Sequence, residues 1–264
     1  MPTTIELSSP DNKSTVKITS GELISYQKFG VEFIHPKKDP GWKNSDTEMF
    51  PIIGPTQKNN FKVSTPKGDC IQDQHGLLRN LDYTLIKNNH YTVTFQKDYL
   101  KNTRISNPKF PDKSTEKEVF WTYDFNFTKK YTLDNDSLKI QFEFISEKGM
   151  PFMLGYHPAF NTTKKSYCTI ENQKVTIDDV LKIGSDAFPL YNQNKLTLFN
   201  DKHKIEIATE GFSNFMLWTE VENMICIEPI TQYPNHKTHK NSVKNMKLSK
   251  GNEKFIVQLK PLKI

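Results

Sequence analysis

Hydrophobic and polar residues alternate at every second position along much of the chain. The clearest case spans residues 121–133 and 138–146, where Phe125, Phe127, Tyr131 and Leu133 share one parity, as do Ile140, Phe142 and Phe144. Successive side chains of a strand point to opposite faces, so each stretch presents one apolar face. Asp134-Asn135-Asp136 between them is a turn signal, and together they predict a long antiparallel pair. Similar patterning predicts strands at 16–18, 23–26, 31–34, 61–63, 69–71, 82–87, 91–97, 166–171, 196–198, 204–208, 215–219, 225–228 and 254–259. Ser20-Gly21, Thr65-Pro66-Lys67-Gly68 and Asn88-Asn89 supply turns. A helical period is rare; residues 242–248 are expected to make a turn or two of helix. The proline-bearing segments 35–45 and 102–118 read as irregular, the second as an exposed excursion. So many strands exceed one open sheet. The expectation is an all-β sandwich of two large antiparallel sheets, with no linker or repeat dividing residues 1–264, hence one domain.

Composition narrows the function classes. Of 264 residues, 35% are hydrophobic and 25% charged, enough apolar material for a real core. The net charge of +6 is spread over lysine patches such as Lys164-Lys165, without an RNA-recognition signature, zinc-finger spacing or an arginine stripe, so no nucleic-acid partner is expected. Cys70, Cys168 and Cys226 are scattered and include no CxxC, which argues against a disulfide framework and structural zinc. The first eleven residues are polar, so no signal peptide is expected, and no apolar run approaches the roughly 20 residues that span a bilayer. These features predict a cytoplasmic protein with no membrane partner.

Three stretches place a titratable side chain beside Gly or Pro where a strand or turn ends. They are Gly155-Tyr156-His157-Pro158-Ala159-Phe160, Gln74-His75-Gly76-Leu77-Leu78-Arg79-Asn80 and Cys226-Ile227-Glu228-Pro229. Pro158 cannot donate to a ladder and biases His157 away from helix, so the imidazole is presented at a strand end. Brought together in one open pocket on a sheet face, two histidines and a glutamate make an acid/base site. The same set is open to a metal reading, though no HExxH or other close ligand spacing supports it. His35, His90 and His203 lie in polar surroundings and are expected to be exposed. His236 and His239 are expected in a loop bordering the site.

Taken in order, these motifs resemble the aldose 1-epimerase (mutarotase) superfamily, in particular its shorter bacterial branch. The resemblance runs from Gly21-Glu22-Leu23-Ile24-Ser25 and Val31-Glu32-Phe33-Ile34 through Trp42 and Phe50-Pro51-Ile52-Ile53-Gly54. It continues through the His75 and His157 stretches to Leu217-Trp218-Thr219 and the Glu228 stretch. It implies a galactose mutarotase-like β-supersandwich. It also implies His157 as general acid, Glu228 as general base and His75 as the group that binds and polarises sugar oxygens. Arg79 belongs to the same motif as His75 and either lines the site or braces its loop. Relatives commonly carry an arginine after the FPxxG-type motif; here Gln57 or Lys58 stands in its place. The family's hydroxyl-binding aspartate has a weak counterpart in Asp186. Trp42, Phe160, Trp218 and Tyr233 are candidates to stack on a sugar, Phe160 and Trp218 foremost. Most other aromatics belong to the core.

The function so implied is mutarotation of a hexose or related sugar. A carboxylate takes the C1 proton, an imidazolium supplies one to the ring oxygen, and no cofactor or metal is needed. A nearby Glu228 carboxylate is expected to raise the pKa of His157 and keep it protonated near neutrality. The partner is a monosaccharide, and the protein is expected to be a monomer or weak homodimer. The alternatives are a non-catalytic sugar-binding or sensing protein on the same fold, or a hexose-6-phosphate epimerase in which Arg79 and Lys58 meet the phosphate.

Overall fold

A computed structural model describes residues 4–234 and 245–264. Its architecture is the expected sandwich. A nine-stranded antiparallel sheet runs in the order Gln173–Thr176, Tyr167–Ile170, Lys195–Asn200, His203–Glu210, Asn252–Lys263, Leu138–Ser146, Phe125–Leu133, Thr92–Tyr99, Thr84–Asn88. A six-stranded sheet runs Phe188–Tyr191, Asn214–Trp218, Met224–Ile230, Gly155–Tyr156, Glu48–Met49, with Ala159–Asn161 also paired to Met224–Ile230. A four-stranded meander covers Thr4–Ser8, Ser14–Thr19, Glu22–Lys28 and Val31–Glu32. Among the described residues no helix is long and apolar enough to cross a membrane.

The two large sheets meet through the faces that the period of two makes apolar. Phe125, Phe127, Tyr131, Ile140, Phe142 and Phe144 are all buried. Phe142 meets Tyr156 of the six-stranded sheet at 5.1 Å between ring centroids, and Phe50 packs on Phe125, Phe127 and Phe144 at 4.9–5.4 Å. Several boundaries differ from expectation for local reasons. The apolar stretch 49–53 is strand only as far as Met49, because Pro51 cannot donate, although Phe50, Ile52 and Ile53 stay buried. The excursion at 102–118 closes into a ribbon, Ile105–Ser106 against Glu118–Val119. The helix expected at 242–248 falls partly outside the described residues, and its end, Lys247–Leu248, is a strand paired with Pro151–Phe152. A short helix that the patterning did not reveal, Ile177–Leu181, is started by a capping box between Thr176 and Asp179.

Position 129 shares the parity of the aromatic face, yet it is a lysine. Lys129 has 0% of its surface exposed. Its ammonium donates to Asp46 Oδ2 at 2.8 Å and lies 2.5 Å from Glu48 Oε1. The Tyr156 and Tyr131 hydroxyls donate to the same Asp46 oxygen at 2.7 and 3.1 Å. Lys97 is likewise on the apolar parity of its strand; it is buried, donates to the Leu78 carbonyl at 2.9 Å and lies 4.0 Å from the Tyr83 ring centroid. Burial pushes the Asp46 carboxyl up to about 6 against the pull of Lys129. Glu48 is also penalised by burial, but Lys129 and then Lys97 hold it below its usual range. Two cations and two anions thus neutralise each other between the sheets.

Removing one member of such a set strands the others without water. Lys129→Met is expected to lower unfolding stability by about 3–5 kcal/mol, read by urea denaturation. Wild-type stability in that variant would show that the charge does not hold the sheets together.

Candidate active site

The site stands on the face of the six-stranded sheet turned away from the nine-stranded one. In Met224–Ile230, Ile225 and Ile227 enter the main core, so Met224, Cys226 and Glu228 take the opposite face. Met224, Cys226 and Ala159 form a small buried patch of their own, on which Trp42, Trp218 and Val221 pack. Trp218 pairs in register with Cys226, and Met216 with Glu228. Tyr156 reaches inward to Asp46, so the next residue, His157, turns to the site face. The His157 N–H donates to the Thr47 carbonyl at 2.8 Å, and the Pro158 carbonyl accepts from the Ile227 N–H at 3.3 Å. His75 arrives on a turn held against Phe50: the Phe50 N–H donates to the His75 carbonyl at 3.1 Å, and the Leu78 N–H to the Phe50 carbonyl at 3.0 Å. That turn requires glycine at 76, where φ is +72° and a Cβ would lie 2.2 Å from the Phe50 carbonyl oxygen.

These elements bring His75, His157 and Glu228 together. His157 Nε2 lies 3.3 Å from Glu228 Oε1, with only 4% and 2% of the two residues exposed. The rings of His75 and His157 are 5.6 Å apart. Trp42 lies flat on His157, 4.3 Å between centroids and 5° from parallel, while Trp218 meets both rings edge-on at 5.9 and 6.2 Å. The expected open pocket is therefore a covered one, because the irregular segment 35–45 carries Trp42 over the imidazole. His157 Nδ1 and Trp42 Nε1 are buried without a hydrogen-bond partner among the described residues. They are polar atoms that a ligand with hydroxyl groups would satisfy.

Electrostatics corrects a second expectation. Burial pushes the Glu228 carboxyl up to about 8. Burial, and after it the Arg79 charge, pulls His157 down to about 3. His75 is held well below its ordinary value by burial first, then by Arg79 and His157. The mutual attraction of an imidazolium and a carboxylate does not offset the loss of water around both. At neutral pH the pair rests as a neutral carboxyl beside a neutral imidazole. That form holds the same number of protons as the ionised pair and differs by one transfer.

The other expected residues divide. Arg79 braces: its guanidinium pairs with the buried Asp73 and donates to His75 Nδ1 at 2.9 Å. Trp218 is half-buried beside His157, in the site. Phe160 is a correction: it is fully buried, faces Ile225 across the ladder and has no ring face left for a sugar. Tyr233 packs on Tyr191 with its ring tilted 47°, while its hydroxyl donates to the Phe215 carbonyl and accepts from the Leu190 N–H. Gln57 and Lys58 are exposed in the short 3-10 turn Gln57–Asn59, just after Gly54, whose N–H is bonded to the Gln74 carbonyl. Asp186 is exposed in the turn before Phe188–Tyr191. His35, expected at the surface, is buried and bonded through its ring to Asn161 and the Pro40 carbonyl. His90 is exposed and His203 is half-buried against Phe29. His236 and His239 lie outside the described residues. Patterning missed Asp73 and Lys109, whose ammonium reaches Asp73 Oδ1 at 2.8 Å. It missed Asp46 and Lys129 too, although a lysine at an apolar parity was a visible signal.

Comparison with known proteins gives a consistent picture. The model of the family described as aldose 1-epimerase matches residues 21–229. A curated relative, the chromosomal protein LacX of Lactococcus lactis subsp. lactis, is 28% identical over 166 residues, 60% of this chain and 50% of LacX. The chain spans about half the length of the curated relatives it matches. Solved structures share the fold across nearly all of the chain. A galactose mutarotase-like protein from Lactobacillus casei superposes with a TM-score of 0.79 at 17% identity, over 98% of this chain and 100% of that one. A galactose mutarotase related enzyme from Lactobacillus acidophilus gives 0.77 at 19%, over 98% and 97%. A putative aldose 1-epimerase from Escherichia coli K12 gives 0.75 at 10%, over 100% of both chains.

A flat indole over His157 places the imidazole protons in its ring current. Their NMR signals are expected upfield in the wild type and at ordinary positions in Trp42→Ala, whereas Trp218→Ala, which removes an edge-on ring, leaves the shift in place. Aromatic pairs contribute about 0.5–1.5 kcal/mol, so Trp42→Ala is expected to lower unfolding stability by about that much, read by urea denaturation. Unshifted His157 signals in the wild type would refute the stacking.

Proposed function

Because the chain belongs to the aldose 1-epimerase family, we propose that it interconverts the α and β anomers of a hexose or related sugar by acid/base ring opening. The observation that carries this reading is the buried contact of His157 Nε2 with Glu228 Oε1 at 3.3 Å. Opening a pyranose requires a proton taken from the C1 hydroxyl and one delivered to the ring oxygen while the C1–O5 bond breaks. Glu228 takes the first and His157 gives the second, leaving a neutral carboxyl, a neutral imidazole and the open-chain aldehyde. Rotation about C1–C2 presents the other carbonyl face, and the same transfers run backward. The pair holds one mobile proton throughout. The resting form favoured by burial is the form present with the aldehyde. A sugar whose hydroxyls hydrogen-bond both groups supplies the polarity that makes the ionised form accessible. No hydride moves and no phosphorus bond breaks, so the reaction as drawn calls for no cofactor. Trp42 and Trp218 offer rings to the sugar's C–H face, and Gln57, Lys58 and Asp186 meet its outer hydroxyls.

The covered state of the pair, and the lack of an arginine after Gly54, favour a second reading as a non-catalytic sugar-binding protein. Initial mutarotation rates over pure α-anomers, free and 6-phosphorylated, with the spontaneous rate subtracted, separate the two. A positioned acid or base contributes about 10²–10⁴-fold, so Glu228→Gln and His157→Asn are each expected to cut kcat by that factor, about 3–5 kcal/mol in barrier. Their effects are expected not to add, because the two groups act as a unit. Sugar bound tightly by the wild type with no rate above background would hand the case to the binding protein.

The pH profile is expected to follow the pair's single mobile proton. Glu228 loses that proton as pH rises through about 8, while His157 takes a second one only near about 3. Hence kcat/KM is expected to be level across neutrality and to fall above about pH 8, as the carboxyl ionises with the imidazole already neutral. The residual activity of Glu228→Gln is expected to lack that alkaline limb. An alkaline limb that survives the substitution would assign it to another group.

A further inference from the structure

His75 and His157 stand side by side, but their other ring atoms are treated differently. His157 Nδ1 has no partner among the described residues, whereas His75 Nδ1 faces Arg79 Nη1 at 2.9 Å. A guanidinium has five N–H donors and no acceptor, so His75 Nδ1 accepts and carries no hydrogen. The ring is then neutral, with its proton on Nε2, and Nε2–H has no partner among the described residues.

Two further residues decide whether Arg79 has a donor to spare. Its Nη2 pairs with Asp73 Oδ2, and Asp73 is a buried carboxylate. A guanidinium beside a free carboxylate closes on both oxygens in a bidentate fork. Here the second oxygen, Oδ1, is occupied by the Lys109 ammonium at 2.8 Å. Lys109 comes from the excursion between Ile105–Ser106 and Glu118–Val119, and it is the farthest member of the chain of contacts from the reacting groups. With Oδ1 taken, Arg79 keeps Nη1 for the histidine.

We propose that Lys109 and Asp73 are positioning residues that, through Arg79, lock His75 as its Nε2–H tautomer, so that it donates a hydrogen bond to a sugar oxygen. The donor role rests on the epimerase reading; the tautomer does not. Without Lys109, the Asp73 carboxylate draws both arms of Arg79, His75 Nδ1 loses its donor, and the ring is free to carry its proton on either nitrogen. A histidine with its lone pair turned to the site cannot donate to the oxygen it otherwise holds.

The test is ¹⁵N NMR of ring-labelled protein without ligand, together with mutarotation kinetics. In the wild type His75 is expected to show a pyridine-like Nδ1 and a pyrrole-like Nε2, unchanged across neutral pH. Lys109→Met is expected to move both signals towards the averaged values of a mixed tautomer. One lost hydrogen bond to substrate then lowers kcat/KM by about tenfold. Lys109→Arg, which keeps a cation on Asp73, is expected to retain the wild-type pattern and rate. A wild-type His75 protonated on Nδ1 overturns the proposal whatever the variants do. An unshifted tautomer in a folded Lys109→Met protein, or in Lys109→Gln if the first does not fold, removes Lys109 from the chain. A locked tautomer in a protein with no mutarotation above background refutes the epimerase reading and leaves the lock standing.

Discussion

Lys129 lies between the two large sheets with Asp46 and Glu48 around its ammonium, and the site depends on how that charge is held. Asp46 and Glu48 flank Thr47, whose backbone is bonded in both directions to His157. Tyr156, the residue before His157, donates to Asp46. The buried ions thus anchor the edge strand Glu48–Met49 and its neighbour Gly155–Tyr156, on which the His157 imidazole is hung, from the side of the sheet opposite to it. A hydrophobic residue at 129 would fill the space, but it would leave two buried carboxylates with Lys97 as the one remaining cation named in the cluster.

Burial acts on two sets of ionisable groups in this protein, and the charges around each group decide how far it prevails. Around Lys129 the carboxylates meet an ammonium, two tyrosine hydroxyls donating to Asp46, and a second ammonium, Lys97, within the same cluster. Glu48 stays below its ordinary range despite burial and Lys129 is raised, while burial still pushes Asp46 up to about 6. His157 and Glu228 have each other at 3.3 Å and little else, and burial drives both towards their neutral forms. The difference lies in the cations within reach: Lys129 and then Lys97 offset burial at Glu48, whereas burial dominates at Glu228. A pair without such a cation stores its proton in neutral form, and in the proposed reaction a polar ligand supplies the missing contacts. That behaviour suits a reaction that moves one proton back and forth.

The two histidines of the site differ in their wiring. His75 has one nitrogen occupied by a cation, which excludes a second proton and fixes the remaining N–H as a donor. His157 has one nitrogen against a carboxyl and the other unpartnered, so its proton is mobile. In the proposed reaction two imidazoles 5.6 Å apart would thus serve as a fixed donor and a proton carrier.

Much of this was legible in the chain itself. The period of two placed the long strands: the expected stretch 138–146 is the observed Leu138–Ser146, and Phe125 to Leu133 bury their odd-numbered aromatics. It also determined the sandwich class, because so many strands with one apolar face have to pair across a core. Gly and Pro beside His75, His157 and Glu228 marked where strands would end and present a titratable group. Tertiary structure decided the rest. Whether Phe160 faces sugar or core depends on which sheet face it takes, and Tyr156 to Asn161 is too short and irregular a run to tell. Burial of His35 and the seal of Trp42 over His157 come from a segment without periodicity, which follows whatever it packs on. The protonation of the pair depends on how much water the fold removes, a property of packing in three dimensions. Asp73 and Lys109 are 36 residues apart, and nothing local connects them; only the folded chain closes that distance, and with it decides which nitrogen of His75 holds the hydrogen.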